Sequence, residues 1–302
     1  MKVSVIIPCF NVADYIEECV ASVMAQTHSP IEIICIDNNS SDDTLKKLES
    51  VKEKYPQLIL DIEPEAGANA ARNKGLSLAT GEWIQFLDAD DLLLEDKITH
   101  QVALINADAS VKKSFIAAAY TKLTVDGIEK KVLPSKQEAF ITVFTNQAGI
   151  TSGNLWNRKA LLAIDGWNEE LRSSQEADLM MRLVIEGGSL LMDDSPKTII
   201  RERESGQISQ GNPSRKWKQY ISVRISYLER LKQVQPEVYH KNIGLFQDFL
   251  MVSILTLSKH DFATANSFYK THIRPKWKSQ GLYGMTKLKI LLIKAFGLRI
   301  AS

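Results

Sequence analysis

The sequence has little cysteine and no long apolar run, and both absences narrow the class of protein. Its three cysteines are Cys9, Cys19 and Cys35. An odd count without C-x-x-C spacing argues against a disulfide scaffold and against a zinc site, so we expect reduced core residues of a cytosolic protein. No uninterrupted apolar stretch reaches the roughly 18 residues that a membrane span needs.

The sequence also has no signal peptide, no internal repeats and no nucleic-acid-binding motif. Lys2 precedes an apolar run that ends at Pro8, which is too short for a signal peptide. No recognised nucleic-acid-binding motif accompanies the basic residues. The composition, 44% hydrophobic and 24% charged, is that of an ordinary globular protein. We therefore expect a cytoplasmic protein without a nucleic-acid partner.

The formal net charge of +1 conceals an uneven distribution of charge. Residues 212–302 contain 16 Lys and Arg against 4 Asp and Glu, whereas residues 1–211 contain 21 against 32. Such a split indicates two surfaces with different partners. A Gly/Ser/Asn/Pro-rich connector lies near 205–213. We predict a domain over 1–211 and a basic helical region over 212–302.

Short apolar strands alternate with helical patterns at the start of the chain. Strands are predicted at 3–7, 31–36, 58–62 and 83–87, and helices over 14–26, about 44–54 and 68–79. This order predicts a parallel sheet with helices on both faces. Later strands are predicted at 115–120, 122–133, 150–156, 189–192 and 197–201. The later helices are predicted over 95–106, 159–164, 176–186, 214–234, 239–259, 262–270 and 286–298.

A cluster of carboxylates, Asp88, Asp90 and Asp91, follows the apolar strand at 83–87 directly. Crowded and unpaired charges at the end of a buried strand are costly. A divalent cation removes the repulsion, and oxygen ligands suit Mg²⁺ or Mn²⁺. Ligands of open α/β sheets bind at the carboxyl ends of strands, so we predict a metal-assisted site for a phosphorylated ligand. The alternative is that Asp90 or Asp91 caps the next helix.

Five segments, in order and at the right spacing, resemble glycosyltransferase family 2, the inverting enzymes with the GT-A fold. The segments are VSVIIPCFN (3–11), IDNNSSDDT (36–44), GANAARNKGLSLATGEWIQFLDADD (67–91), DGWNEELR (165–172) and EADLMMRL (176–183). The resemblance covers residues 1 to about 210. It implies a Rossmann-like α/β fold with a mixed, mostly parallel sheet and flanking helices, followed here by a C-terminal helical region.

The resemblance also implies a nucleotide-sugar site at the carboxyl edge of the sheet. Asp37 would accept a hydrogen bond from the base, which suits uracil or thymine; the alternative is a turn residue that caps the following helix. Asp88 and Asp90 match the Asp-x-Asp pair, with Asp88 toward the ribose or a metal-bound water and Asp90 on the metal. Further donor-binding positions are Pro8, Phe10, Asn11, Asn39 and Ala89.

Three more positions carry the implied chemistry, and two of them depart from the family pattern. The family's catalytic base is usually the Asp of a Glu-Asp pair; here Gln175 and Glu176 stand in that register, and Glu176 is the candidate base. Arg203 stands where the family often has a His, and we expect it to clamp a diphosphate. Arg72 is expected to pair with Asp37 or a phosphate, or to lie on a solvated helix face. The Gly/Ser-rich stretch after Arg203 is expected to form a lid.

The function implied is an inverting, metal-dependent hexosyltransferase of cell-surface polysaccharide synthesis. It would transfer a sugar from a nucleotide-diphosphate sugar, with UDP as the expected nucleotide, to a hydroxyl of a glycan or lipid-linked acceptor. A non-catalytic sugar-nucleotide-binding module and a sugar-nucleotide nucleotidyltransferase are the alternatives. The apolar and lysine-containing helix at 285–298 fits peripheral contact with an anionic membrane, on the cytoplasmic face. A packed helix with a solvated basic face, or a dimer contact, is the alternative for that segment.

Overall fold

The computed structural model describes residues 1–108, 113–203 and 212–300. The chain forms two compact units, the first of Met1–Glu170 with Gln175–Glu204 and the second of Leu171–Ser174 with Ser205–Ser302. The predicted boundary between 211 and 212, and the predicted lid after Arg203, lie outside the described residues. Each unit is described separately below.

The first unit contains the strands. In chain order these are β1 (Val3–Cys9), β2 (Ile31–Asp37), β3 (Ile59–Ile62), β4 (Trp83–Phe86), β5 (Leu92–Leu93), β6 (Lys113–Ala118), β7 (Tyr120–Leu123), β8 (Glu129–Val132), β9 (Leu155–Asn157), β10 (Ser189–Asp193) and β11 (Thr198–Arg201). Its helices are α1 (Ile16–Met24), α2 (Thr44–Lys54), α3 (Ala68–Leu78), α4 (Lys97–Ala107), α5 (Ala139–Phe144), α6 (Arg158–Leu162) and α7 (Gln175–Ile185).

The main sheet, within the described residues, has the strand order β10-β6-β9-β4-β1-β2-β3. β1 pairs in parallel with β2 and β4, and β2 with β3. β9 runs antiparallel to both β4 and β6. The sheet is therefore mixed and mostly parallel with flanking helices, which confirms the predicted fold class.

Apolar burial explains why these segments form the central strands. Every residue from Val3 to Ile7 is buried, and α1 faces the sheet with Ile16, Val20 and Val23. Cys9, Cys19 and Cys35 are buried without disulfide bonds, as predicted. Gly75 permits the close approach of α3, because a Cβ there would lie 2.3 Å from Cγ2 of Ile6.

The pairing register brings the candidate site loops to one edge. Cys9 lies opposite Asp37, and Ile6 lies opposite Phe86. The loops after β1, β2 and β4 therefore leave the sheet side by side, as the parallel arrangement requires. A second sheet, with the order β5-β11-β7-β8, returns the chain to this edge, since β11 ends at Arg201 next to the acidic residues.

One predicted strand is mostly absent. The apolar pattern predicts a strand over 150–156, but the strand covers only Leu155–Asn157. Turn structure precedes it, in which Gly153 and Asn154 donate backbone hydrogen bonds to the carbonyl of Ile150. The small polar residues Thr151 and Ser152 favour that turn and point their hydroxyls toward carboxylates.

The second unit is helical in its described part. It contains α8 (Pro213–Val234), α9 (Pro236–Ser258), α10 (Phe262–Phe268) and α11 (Lys287–Phe296). α9 buries Asp248, whose carboxylate accepts hydrogen bonds from the Trp277 indole at 3.1 Å and from the backbone NH of Gln280 at 2.9 Å. Among the described helices, none has both the length and the hydropathy that crossing a membrane requires.

Candidate active site

The loop after β2 presents a buried carboxylate oxygen. Asp37 is 3% exposed, and its Oδ2 accepts a hydrogen bond from the backbone NH of Ser40 at 3.3 Å. Oδ1 is buried and has no hydrogen-bond partner. A buried acceptor is costly to leave unpaired, so this oxygen is placed to receive an N–H group. Asp37 does not cap α2, whose N-cap residue is Asp43.

The loop after β1 is held against the loop after β2. Asn11 has a positive φ of 51°, and its side-chain oxygen accepts a hydrogen bond from the Ser41 NH at 2.8 Å. Asn39, also at positive φ, donates to the carbonyl of Pro64 at 2.6 Å. Phe10 is 58% exposed. The two loops thus form a fixed frame that leaves one aromatic ring open to solvent.

The remaining predicted donor-binding positions, Pro8 and Ala89, have apolar side chains and lie at the same edge of the sheet. Pro8 is half-buried within β1, and Ala89 is buried between the two aspartates of the Asp-x-Asp pair. Neither side chain can donate or accept a hydrogen bond, so any contact of theirs with a ligand is through apolar surface or backbone.

Arg72 is paired with the acidic cluster. Its NH2 donates to Oδ1 of Asp88 at 2.7 Å, and its guanidinium lies over the Trp167 ring, 4.6 Å from the centroid. Arg72 is 5% exposed. The expected pairing with Asp37 and the solvated helix face are therefore both wrong in this structure, because α3 points the guanidinium toward the end of β4.

Asp90 faces Arg203 at the end of the second sheet. Oδ2 of Asp90 lies 3.5 Å from NH1 of Arg203. Burial and the neighbouring Asp88 raise the pKa of Asp90, although Arg203 opposes that rise. Arg203 also lies over the Tyr15 ring, 4.8 Å from its centroid, and donates to the carbonyl of Asn11 at 3.4 Å. The arginine therefore bridges the Asp-x-Asp pair and the loop after β1.

Asp91 has a structural role beside the Asp-x-Asp pair, and of its two predicted roles, helix cap or supporting residue of the site, the structure favours the second. It is 4% exposed and accepts hydrogen bonds from the Ser152 hydroxyl at 2.6 Å and the Arg201 backbone NH at 3.1 Å. Burial raises its pKa well above the usual range. Asp91 is not a helix cap, since Asp96 occupies that position of α4. It joins β11 and the turn before β9 to the acidic cluster.

Arg201, which the sequence analysis missed, holds the backbone of the cluster. Its Nε donates to the carbonyl of Asp90, and its NH1 pairs with Glu18. The guanidinium also lies 5.3 Å from the centroid of the Tyr15 ring. With Arg203, it surrounds the acidic cluster with positive charge, which favours a phosphorylated ligand.

Glu176 lies at the start of α7, and its carboxylate accepts a hydrogen bond from the Thr151 hydroxyl at 2.6 Å. Burial raises its pKa to about 7, with the bond from Thr151 and the charge of Arg72 opposing the rise. A carboxylate with a pKa near neutral pH suits general-base work. The neighbouring Gln175 accepts from NH1 of Arg72 at 3.4 Å.

Arg72 consequently connects the Asp-x-Asp pair to the start of α7. One of its nitrogens binds Asp88 and the other binds Gln175, the residue before Glu176. Asp178 and Arg182 do not take part, because they form the predicted i, i+4 pair of α7 at 2.7 Å. The site therefore contains a partly buried acidic pair, Asp88 and Asp90, and a separate carboxylate, Glu176, with a pKa of about 7.

The raised pKa of Glu176 predicts a pH-dependent gain in stability on Glu176→Gln. A group whose pKa is higher in the folded protein costs stability as pH rises from the unfolded value to the folded one. Wild type should therefore lose stability between about pH 4.5 and 7 at this residue. We expect Glu176→Gln to raise the free energy of unfolding by about 1–3 kcal/mol at pH 8 and by almost nothing at pH 4.

Urea denaturation of both proteins at the two pH values measures this difference. An equal difference at both pH values would contradict the assigned pKa. Glu186→Gln, which changes a carboxylate just beyond the end of α7, is the matched control.

The carboxylates of the cluster fit a divalent cation together with ligand oxygens. The described residues contain no group of three or more His, Cys, Asp or Glu placed to hold a metal. Asp88 and Asp90 provide carboxylate oxygens, and burial together with the neighbouring Asp88 raises the pKa of Asp90, so a bound cation would stabilise its charged form. Two carboxylates completed by water and phosphate oxygens suit Mg²⁺ or Mn²⁺. The residues present therefore fit the metal that the family implies.

The residues that the sequence analysis missed share one property. Thr151, Ser152, Arg201 and Tyr15 reach the site through tertiary contacts, and none belongs to a segment that carries the resemblance. The one local signal was the polar Thr151-Ser152-Gly153 run inside an otherwise apolar segment, which is unfavourable within a buried strand.

Comparisons with known proteins find similar glycosyltransferases. TuaG of Bacillus subtilis (strain 168), a putative teichuronic acid biosynthesis glycosyltransferase, is 38% identical over 128 residues, which make up 41% of this chain and 49% of TuaG. The chain matches only 20% to 49% of the length of five curated relatives.

Solved structures show the same fold at low identity. The structure of S. aureus TarS 1-349 in complex with UDP-GlcNAc has a TM-score of 0.66 at 20% identity, over 90% of this chain and 76% of that one. The mannosyltransferase PcManGT from Pyrobaculum calidifontis, in complex with GDP-Man and Mn²⁺, has a TM-score of 0.58 at 18% identity, over 90% and 75%. The family model for glycosyl transferase family 2 matches residues 4–162, more than half of the chain, so this protein belongs to glycosyl transferase family 2.

Proposed function

We propose that this protein is an inverting glycosyltransferase that transfers a sugar from a nucleotide-diphosphate sugar, with UDP as the favoured nucleotide, to an acceptor hydroxyl. The observation that carries the proposal is the presence of carboxylates in two different surroundings, the Asp-x-Asp pair and Glu176. Arginines lie against Asp88 and Asp90, whereas Glu176 accepts a hydrogen bond from the Thr151 hydroxyl and has a pKa of about 7. Pairs of carboxylates in unlike environments are typical of divided catalytic roles.

Asp37 would select the nucleotide base. Its buried Oδ1 lacks a hydrogen-bond partner, and a uracil or thymine ring offers an N–H donor at N3. Phe10, which is 58% exposed at the neighbouring loop, would cover one face of the nucleoside. The TarS structure with UDP-GlcNAc supports a uridine nucleotide, while the PcManGT structure with GDP-Man makes the base a property to be tested.

Arg203 and the Asp-x-Asp pair would hold the diphosphate. Asp90 is the expected metal ligand and Asp88 its partner on the ribose side, with Mn²⁺ or Mg²⁺ as the cation. When bound, the metal supplies Lewis-acid stabilisation of the leaving diphosphate. Arg203 lies 3.5 Å from Asp90 and would bind the same phosphate oxygens directly, because a guanidinium forms paired hydrogen bonds with phosphate.

Glu176 would take the proton from the acceptor. The acceptor oxygen forms a bond to the anomeric carbon while the bond from that carbon to the phosphate oxygen breaks. The acceptor proton moves to Glu176, and the bonding electron pair leaves with the nucleoside diphosphate. Thr151 keeps the carboxylate oriented through its 2.6 Å hydrogen bond. One displacement of this kind inverts the anomeric configuration.

We place the reaction in the synthesis of a cell-surface polysaccharide, with a glycan or a lipid-linked glycan as acceptor. TuaG, named for teichuronic acid biosynthesis, supports this setting. The release of nucleoside diphosphate from a panel of UDP-, GDP- and dTDP-sugars, with and without Mn²⁺, tests the function. No release from any donor, with acceptor glycans present, would contradict it.

A non-catalytic nucleotide-binding module is the second candidate, because Gln175 replaces the Glu that is usual in the family. The contact of Gln175 with Arg72 favours a positioning role for this amide and leaves Glu176 free for the base role. A module without turnover would bind UDP tightly and release none from UDP-sugars. A nucleotidyltransferase is disfavoured, since the loop after β1 lacks the Gly-rich, Lys/Arg-bearing sequence that such enzymes use.

Replacing Asp37 by Asn tests the selection of the base. The buried Oδ1 loses its charge, and a hydrogen bond to a charged acceptor contributes about 1.5–3 kcal/mol. We expect UDP to bind about 10–100-fold more weakly to Asp37→Asn, as measured by isothermal titration calorimetry. CDP has no N–H at N3, so its affinity should change far less.

The matched control is Asp43→Asn, at the exposed start of α2, which should bind UDP as wild type does. Equal losses for UDP and CDP in Asp37→Asn would show that the residue does not read the base.

A further inference from the structure

The last helix, α11, has an apolar side that is exposed to solvent. Leu288, Leu291 and Phe296 are 66%, 65% and 68% exposed. With the partly exposed Leu292 and the exposed Ala295, they occupy positions i, i+3, i+4, i+7 and i+8, which form one stripe along a helix. We call these five residues the α11 stripe. Exposing such a contiguous apolar surface is unusual for a monomeric protein.

The opposite side of α11 fixes the helix in place. Ile293 is fully buried, and its carbonyl accepts a hydrogen bond from the Tyr269 hydroxyl at 3.1 Å. The Thr286 hydroxyl caps the first turn by accepting from the Lys289 NH at 3.2 Å, and Gly297 ends the helix at a positive φ of 81°. The stripe therefore belongs to a capped and anchored helix.

Cations flank the stripe on both sides. At 3.6 residues per turn, Lys287 and Lys294 lie along one border of the stripe and Lys289 along the other. The sequence from 262 to 302 contains eight Lys and Arg and no Asp or Glu. A helix with an apolar face between lysines has the pattern of helices that lie in the plane of an anionic membrane surface.

We propose that the α11 stripe docks on an anionic lipid surface, with the three leucines and Phe296 in the acyl boundary and the flanking lysines at the headgroups. Charge decides against a second copy of this chain as the occupant. Two such helices packed face to face would bring their lysine borders together, and the segment from 262 to 302 has no acidic side chain to pair with them. Anionic headgroups supply the missing negative charge along the whole border.

Vesicle flotation of the full chain tests the proposal. We expect binding to vesicles of phosphatidylcholine with 30% phosphatidylglycerol, and at least tenfold weaker binding to phosphatidylcholine alone. The triple variant L288S/L291S/F296S should lose at least tenfold in binding to the anionic vesicles. Changing Lys287 and Lys289 to Gln should reduce binding by about fivefold for each lysine, whereas Lys294 is left unchanged because its ammonium donates to the Trp277 carbonyl at 3.4 Å.

The matched control is V125S/I128S/L133S, which changes three apolar residues of the first unit that are 53%, 50% and 60% exposed. It should float as wild type does. Equal flotation of the control and L288S/L291S/F296S, equal binding to neutral vesicles, or no binding by wild type would each overturn the proposal. A wild-type dimer in analytical ultracentrifugation that the stripe variant converts to monomer would overturn it in favour of a second copy.

A probe on the stripe reports its position at the surface. The native cysteines are buried, so Leu291→Cys can be labelled with an environment-sensitive fluorophore. Its emission should shift to the blue with anionic vesicles, whereas the same label on Leu133→Cys should not respond. An unchanged spectrum at position 291 would contradict insertion even if the chain floated. None of these readouts involves a nucleotide, so the result is independent of the proposed transferase activity.

Discussion

Glu176→Gln is expected to lower the rate of sugar transfer by about 10²–10⁴-fold while leaving the affinity for UDP unchanged. General-base catalysis typically contributes an acceleration of that size. The amide keeps the shape of the side chain and can still accept the hydrogen bond from Thr151, so binding of the donor should survive. Steady-state transfer assays and UDP titration of the same preparation measure the two quantities.

The pH dependence of transfer gives a second view of the same residue. Because the base acts when deprotonated, the wild-type rate should rise with pH and level off above about 7, the pKa that burial gives Glu176. The hydrogen bond from Thr151 lowers that pKa, so Thr151→Val should move the rising limb to higher pH. Glu176→Gln should lose the limb altogether.

Two controls separate a base from a structural carboxylate. Glu176→Asp shortens the side chain to the residue usual in the family, and it should retain more transfer than Glu176→Gln. Asp178→Asn removes the neighbouring carboxylate that pairs with Arg182, and it should leave the position of the pH limb unchanged. Equal transfer rates for wild type and Glu176→Gln would eliminate the assigned base.

The second large effect is expected at Asp90. Mn²⁺ should strengthen UDP binding to wild type about tenfold or more, because the Asp-x-Asp pair would hold a cation that attracts the diphosphate. In Asp90→Asn, this gain should disappear, while the affinity measured without metal should stay similar or rise slightly, since one negative charge near the phosphates is removed. Calorimetric titration of UDP with Mn²⁺ and with a chelator gives the four constants required.

Arg203→Gln separates the contribution of the arginine to UDP binding from that of the metal. Since the guanidinium is proposed to contact phosphate oxygens directly, this variant should bind UDP more weakly both with Mn²⁺ and with chelator. Asp96→Asn, at the exposed N-cap of α4, should retain the full effect of Mn²⁺. A metal effect of unchanged size in Asp90→Asn would remove that residue from the proposed metal site.

The fold was largely readable from the sequence because its local signals agree with each other. Apolar β-branched runs such as Val3–Ile7 end at Pro8 or in polar turns, and amphipathic helices separate them. The predicted strand over 150–156 is mostly wrong because the small polar residues of this segment favour a turn, and its apolar composition conceals that preference. Periodicity alone does not tell a buried strand from a buried turn.

The site was readable only where the family motifs lie. Those motifs pointed to Asp37, the Asp-x-Asp pair and Glu176, and the structure brings the predicted loops to one edge. The partners of these residues were not predictable, because they depend on which elements meet in space. Arg72 is an example, since its pairing with Asp88 follows from the packing of α3 beside the end of β4.

Lys97 is a second residue whose contacts could not be predicted from the sequence. A lysine near the start of a helix is expected in solvent, yet Lys97 is 1% exposed, and its ammonium donates to the side chain of Gln85. Burial lowers its pKa to about 7. Gln85 in turn donates to the carbonyl of Ser152 at 2.8 Å, so this buried pair supports the turn that positions Asp91.

The stereochemistry of the released sugar tests the central claim most directly. Proton NMR can follow an α-linked UDP-sugar, with Mg²⁺ and either acceptor or water, and identify the anomer that forms first. The account predicts a first-formed product of β configuration, and no comparable conversion by Glu176→Gln. A first-formed product of α configuration, or equal conversion by Glu176→Gln, would contradict a single displacement with Glu176 as the base.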